Sequence, residues 1–128
     1  MSINLVLLAE AFVVVSDKHS SITHLTPLEV KAIYLKKRRY WKDLKLIALN
    51  LPPKNPLRQS FEKHILEMDN AQIQRYWMTA HYQGRRPPYR VQSIESMLLY
   101  LKKVEGSIGY IPASLLSKEL KVLYRGQF

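Results

Sequence analysis

Apolar positions along the chain follow two different periods. Phe12–Ser16, Lys45–Leu51, Tyr89–Gln92, Ser107–Pro112 and Leu120–Tyr124 are short apolar or β-branched runs of strand type. Between them the period lengthens to that of a helix. Val30, Ile33 and Tyr34 form one such face, and Leu57, Phe61 and Ile65 a second. Ile73, Tyr76, Trp77 and Ala80 form a third, and Ile94, Met97, Leu98 and Leu101 a fourth. Each helix has a start signal. Thr26, Pro27 and Glu29 read as a capping box with proline at the first helical position, and Asn55-Pro56 as an N-cap followed by proline. Asp69 with Gln72 makes a second box, and Ser93 caps the last helix, which Glu105-Gly106 closes with a glycine C-cap. Strand and helix alternate throughout, which predicts an α/β domain: a central mixed sheet flanked by helices in three layers. The first unit, Phe12 to Leu51, is a strand–helix–strand succession of the kind that builds parallel sheets.

The first helix is expected to run from Thr26 towards Trp41. Lys36, Lys37, Arg38 and Arg39 would then crowd its C-terminal end, where positive charge complements the helix dipole, with Trp41 following as an apolar anchor. The aromatic stripe of the third helix reads as core rather than as a base-stacking platform. Asp17–Ser21 and Gln83–Pro88 read as polar loops, and Ser114–Glu119 as a helical turn.

With 128 residues and no break in composition, a single domain over residues 12–128 is expected. Residues 1–11 stand apart. Ile3–Ala9 is a short apolar run, and Ala9-Glu10-Ala11 has a small-x-small pattern, but no Lys or Arg precedes the run. An extra strand, a packed helical turn and the remnant of a signal peptide all fit. No stretch of 18 or more apolar residues suggests a membrane-spanning helix. The absence of cysteine removes disulfides and thiolate catalysis.

Charge narrows the choice of partner. Twenty Lys and Arg against ten Asp and Glu give a formal +10, which favours anions. A strand leading through a tight loop into a helix start is a place where oxyanions bind, since free N–H groups and the dipole both point at the ligand. The loop before Pro56 is such a place, and Arg58 in the first turn could grip the same anion with two parallel bonds. Arg58 could equally pair with Glu62 one turn on. Arg85 and Arg86 offer further contacts from a loop that also reads as merely solvated. Catalysis is not expected. His19, His24, His64 and His81 show no metal-ligand spacing, no nucleophile elbow is present, and the four glycines form neither a P-loop nor a dinucleotide fingerprint. No cofactor is implied.

Four stretches in order resemble the second lobe of the periplasmic phosphate-binding proteins of ABC transporters, of the type 2 periplasmic-binding-protein fold. They are FVVVSDKHSSITHLTPLEVKAIYLKKRRYW, the segment ending NPLRQSF, AQIQRYWMTAHYQGRRPP, and SIESMLLYLKKVEGSIGYIP. The family's Leu-x-x-x-x-(Leu/Val)-x-x-Ile-(Phe/Tyr) helix and following Trp are matched by Leu25, Val30, Ile33, Tyr34 and Trp41. Its Gly-x-Ile-Gly-Tyr ending is matched by Gly106, Ile108, Gly109 and Tyr110. The resemblance covers about Phe12 to Pro112. It implies an exported, non-enzymatic solute-binding module with phosphate or another oxyanion as ligand. The candidate ligand residues are Ser16, Lys54, Asn55, Arg58, Arg85 and Arg86, with no metal. Two departures stand out. The family's Gly-Lys turn is Lys36-Lys37, and its Arg followed by a Ser-Gly-Thr loop is replaced by Asn55-Pro56-Leu57, which supplies fewer donors. Leu57-Arg58 ahead of Phe61 instead resembles short, single-lobe relatives. One lobe leaves a cleft open, so a homodimer completing it is an expected arrangement. A protein-interaction or structural domain is the alternative. A nucleic-acid binder is disfavoured, because Tyr34, Tyr76 and Trp77 fall on expected core faces.

Overall fold

The computed structural model describes residues 11–126, so the apolar run Ile3–Ala9 lies outside the described residues. β1 (Phe12–Asp17) forms from the first β-branched run, and Phe12 to Val15 are each no more than 1% exposed. α1 (Pro27–Tyr34) starts where its box predicts. Thr26 Oγ1 accepts from the Glu29 N–H at 3.2 Å, and the Glu29 carboxylate accepts from the Thr26 N–H at 2.8 Å. That backbone bond holds the Glu29 carboxyl below its usual pKa.

α1 ends well short of the basic run. Lys36 adopts a left-handed φ of 62°, its N–H bonds the Ile33 carbonyl at 3.1 Å, and the Lys37 N–H bonds the Ala32 carbonyl at 2.9 Å. This is a Schellman closure with lysine where glycine is usual. The cations therefore do not sit on a helix end. They continue into a hairpin of β2 (Tyr40–Trp41) and β3 (Leu44–Lys45). The single strand expected over Lys45–Leu51 is split: Leu44–Lys45 folds back on β2, and β4 (Ile47–Asn50) enters the main sheet.

The remaining elements are α2 (Pro56–Phe61), a π-helical turn at Glu62–Leu66, α3 (Asn70–His81), β5 (Tyr89–Arg90), α4 (Ile94–Lys103), β6 (Ser107–Pro112) and β7 (Leu120–Gly126). The helical turn expected at Ser114–Glu119 is a 3-10 turn at Ala113–Leu115. Gly106 is not the residue that caps α4. Val104 caps it, and Gly106, with φ 85°, turns the chain into β6.

The sheet order is β5-β4-β6-β1-β7. β4 runs parallel to both β5 and β6, whereas β1 is antiparallel to β6 and β7. The sheet is mixed, as expected, but β1 and β4 run in opposite directions with β6 between them. The first strand–helix–strand unit is therefore not a parallel crossover. Apolar periodicity identifies strands and their faces but is blind to their direction.

One end of the sheet is locked by aromatic rings. Phe61 stacks on Tyr110 with centroids 4.0 Å apart, Tyr34 meets Phe61 edge-on at 4.7 Å, and Phe12 does so at 5.5 Å. Such pairs contribute about 0.5–1.5 kcal/mol each beyond the area they bury. Both phenols are satisfied. Tyr34 donates to the Leu49 carbonyl at 2.8 Å, and Tyr110 donates to Asn50 Oδ1, which also accepts the Leu51 N–H at 3.0 Å.

Two predictions follow from this packing. A Cβ on Gly106 would lie 2.2 Å from the Lys45 carbonyl oxygen, whereas one on Gly84, also at positive φ, meets nothing within 4 Å. Gly84→Ala should cost about 1 kcal/mol of strain in urea unfolding, and Gly106→Ala at least ~2 kcal/mol, from strain plus a contact that backbone cannot relieve. Equal costs would show that the Lys45 contact relaxes freely. The second concerns alkaline pH. Burial raises the phenols of Tyr34 and Tyr110 above the ordinary 10.0. Above pH 10 the unfolded chain loses protons that the native state keeps, so stability present below pH 10 is lost as pH rises, by up to ~2.7 kcal/mol per unit for two groups. Lys36, held below its usual 10.5 by burial and by Arg39 and Lys45, acts in the opposite sense and softens the onset. Tyr110→Phe should make the alkaline fall shallower; an unchanged slope would mean its phenol is not what titrates.

Candidate functional site

The arrangement of strands decides where a site can form. In sheets with parallel strands, ligands bind outside the carboxyl ends of the strands. Here a cleft of about 760 Å³ opens over the ends of β4 and β5, between α2 and α3. Asn50 ends β4 and pairs in register with Arg90 of β5, and the Val91 N–H bonds the Asn50 carbonyl at 2.8 Å. The α3 face carrying Asn70, Gln74, Trp77 and His81 forms one side of the cleft, Arg58 and Glu62 the other. Arg85 and Arg86 enter from the loop after α3.

The cleft is cationic. Arg58, Arg85, Arg86 and Arg90 line it against the single carboxylate of Glu62. Arg58 is already committed: its Nε donates to Glu62 at 3.0 Å and its NH1 to the Leu51 carbonyl at 2.8 Å. The i,i+4 reading of the sequence is therefore realised. The side chains of this pair are 17% and 13% exposed, so Arg58 ties the β4–α2 loop to the helix before it offers anything to a ligand. Arg85 donates to Gln83 Oε1 at 3.0 Å. Among the described residues, Arg85, Arg86 and Arg90 form no ion pair. They leave a positive field that a planar, multidentate anion could meet.

Of the six sequence-derived candidates, Arg58, Arg85 and Arg86 share this cleft, and Ser16, Lys54 and Asn55 do not line it. Ser16 is buried near the end of β1, level with Ile108 and Ala48. Because β1 is antiparallel to β6, its carboxyl end lies at the end of the sheet opposite Asn50. Asn55 Oδ1 accepts the Leu57 N–H at 2.8 Å, the Gln59 N–H returns to the Asn55 carbonyl at 3.1 Å, and Pro56 has none. The helix start thus keeps few donors for an anion.

Sequence reasoning missed Asn50, Arg90 and Trp77 as cleft residues. A buried asparagine at the end of a strand, just before Leu51-Pro52-Pro53, was a readable signal for the first. Trp77 departs from its expected place in the core. Ile73 and Ala80 are buried as expected, but Tyr76 and Trp77 are half-buried and pack edge-on at 4.9 Å. Tyr76 donates to the Leu35 carbonyl at 2.7 Å, which leaves Trp77 facing the cleft. No group of three His, Asp or Glu among the described residues is arranged to hold a metal ion.

No family model and no curated protein matches the sequence. Solved structures do match the fold. A Clostridium perfringens protein, described as a phosphate ABC transporter substrate-binding protein and solved with bound phosphate, superposes with a TM-score of 0.75 at 15% identity, over 91% of this chain and 45% of its own. An ABC-type phosphate transport receptor from Vibrio cholerae gives 0.73 at 17% identity, over 91% and 46%. PstS from Borrelia burgdorferi gives 0.69 at 19%, over 89% and 46%. The chain spans a little under half the length of each. At these identities the likeness is one of fold, and the chain has the fold of a single lobe of the phosphate ABC transporter substrate-binding proteins.

Proposed function

We propose that this chain is a non-catalytic, extracytoplasmic solute-binding-like module that takes phosphate or another small oxyanion into the cleft between α2 and α3. The observation that carries the reading is the convergence of Arg58, Arg85, Arg86 and Arg90 over the carboxyl ends of β4 and β5. The fold supports it, since one structure of the same fold holds phosphate. In this reading Arg86 and Arg90, both exposed, meet the anion directly. Arg58 fixes the floor through Leu51 and Glu62 and contributes charge rather than a free fork. Export rests on the company the fold keeps. The described residues contain no helix long and apolar enough to cross a membrane. The cleft is open to water on one side, so a single chain should bind weakly, and a second chain facing it would strengthen binding by excluding solvent.

The test is thermal unfolding with millimolar phosphate, with sulfate at matched ionic strength as control. Ligand at 100-fold its Kd should raise stability by about 2.7 kcal/mol, a shift of several degrees. The double variant Arg86→Gln/Arg90→Gln should fold normally and lose most of that shift. Arg58→Ala is a poorer probe, because it also breaks the Leu51 and Glu62 bonds. An equal rise with both salts would reduce the cleft to a basic surface. No rise with either would favour a lobe that serves as an interaction or structural domain.

A further inference from the structure

A second concentration of charge lies outside the cleft, on the β2–β3 hairpin and the turn that leads into it. Residues 36–45 hold six Lys or Arg against one Asp. Arg38 is engaged: it reaches Glu29 at 3.5 Å and lies over the Trp41 ring at 4.3 Å. Lys36, Lys37, Arg39, Lys42 and Lys45 form no ion pair among the described residues, and Arg39 and Lys45 stand close enough to Lys36 to disfavour its charge. The backbone also favours other residues at two of these places. Lys36 has φ 62° and Lys42, in the hairpin turn, φ 55°, where glycine or asparagine is the comfortable choice. Cations stand there despite both mutual repulsion and backbone preference.

The hairpin alternates like any strand pair. Trp41 packs against the core, and the Tyr40–Lys45 pair is exposed, with Tyr40 53% accessible. An exposed phenol paired across the hairpin with Lys45, on a segment rich in lysine and arginine, suits the headgroup layer of a membrane. Aromatic rings rest there, and lysine stems lie along apolar surface while their ammoniums reach phosphates. It suits a nucleic acid less well. A strand of bases needs a succession of open ring faces, and here one face of Trp41 is covered by Arg38 while the Tyr76 ring has Lys37 at 5.9 Å.

We propose that the β2–β3 hairpin is a docking surface for anionic phospholipid headgroups, with Lys36, Arg39, Lys42 and Lys45 supplying the charge and Tyr40 the interfacial anchor. This surface is separate from the cleft and does not depend on solute binding.

Sedimentation of the full chain with phosphatidylcholine vesicles, with and without about one-third phosphatidylglycerol, tests this. Binding should require phosphatidylglycerol and weaken as salt is raised. Each cation near the surface is worth about fivefold in partitioning, so Lys36→Gln/Arg39→Gln/Lys42→Gln/Lys45→Gln should bind roughly 600-fold more weakly. A control removes the same charge from exposed positions elsewhere: Lys54→Gln/Lys63→Gln/Lys103→Gln/Lys118→Gln. It should lose far less. Equal losses in the two variants, or no binding by the unmodified chain, would overturn the assignment. So would tighter, hairpin-dependent binding to a single-stranded oligonucleotide than to the anionic vesicles.

Discussion

Two buried phenols must find hydrogen-bond partners where there is almost no water, and most of the fold around the cleft is arranged to let them. An unpaired buried hydroxyl costs about 1–3 kcal/mol. Tyr34 reaches the Leu49 carbonyl from α1, and Tyr110 reaches Asn50 from β6. Phe61 from α2 fills the space beside both rings. Those contacts fix α1 and α2 relative to the ends of β4 and β6. Among the described residues no buried side-chain nitrogen or oxygen is left without a partner. The same asparagine that satisfies Tyr110 forms part of the cleft floor, so the site is built directly on the most tightly specified part of the core.

The basic surplus of the chain is not spread evenly over this scaffold. It gathers in two places with different chemistry. In the cleft the cations are arginines, one of them held rigidly by a carbonyl and a carboxylate. Planar guanidinium donors suit a small anion that must be oriented. On the hairpin and the turn before it the free cations are mostly lysines on flexible stems, with one exposed ring, Tyr40, among them in sequence. Mobile point charges suit a surface whose phosphates have no fixed positions.

Much of the architecture was legible in the residues. The capping boxes at Thr26/Glu29 and Asp69/Gln72 formed as the side-chain chemistry requires, because a cap is satisfied within four residues and needs no distant partner. The strands at Phe12, Ser107 and Leu120 and the mixed α/β class were legible for the same kind of reason, since burial writes its period into local composition. The basic run at Lys36 was readable as charge but not as shape. A lysine in the left-handed position of a Schellman turn carries no signal in local propensity, so the helix was expected to continue although the family resemblance places a turn at Lys36-Lys37.

The sequence by itself determined most of the segments that become strands and helices, where the helices begin, and that the chain is strongly basic. Only the tertiary structure decided strand direction, and with it the place of the cleft. Because β1 is antiparallel to β6 while β4 is parallel to it, Ser16 is carried away from the cleft, and the parallel pairing of β4 with β5 brings Asn50 and Arg90 together. Arg58 shows the same division at one residue. Its spacing from Glu62 allowed an ion pair or a free ligand, and the Leu51 carbonyl, 2.8 Å from NH1 in the folded chain, tipped it to a structural tie. Direction and convergence are properties of contacts between residues far apart in sequence, and local period and propensity contain no term for them.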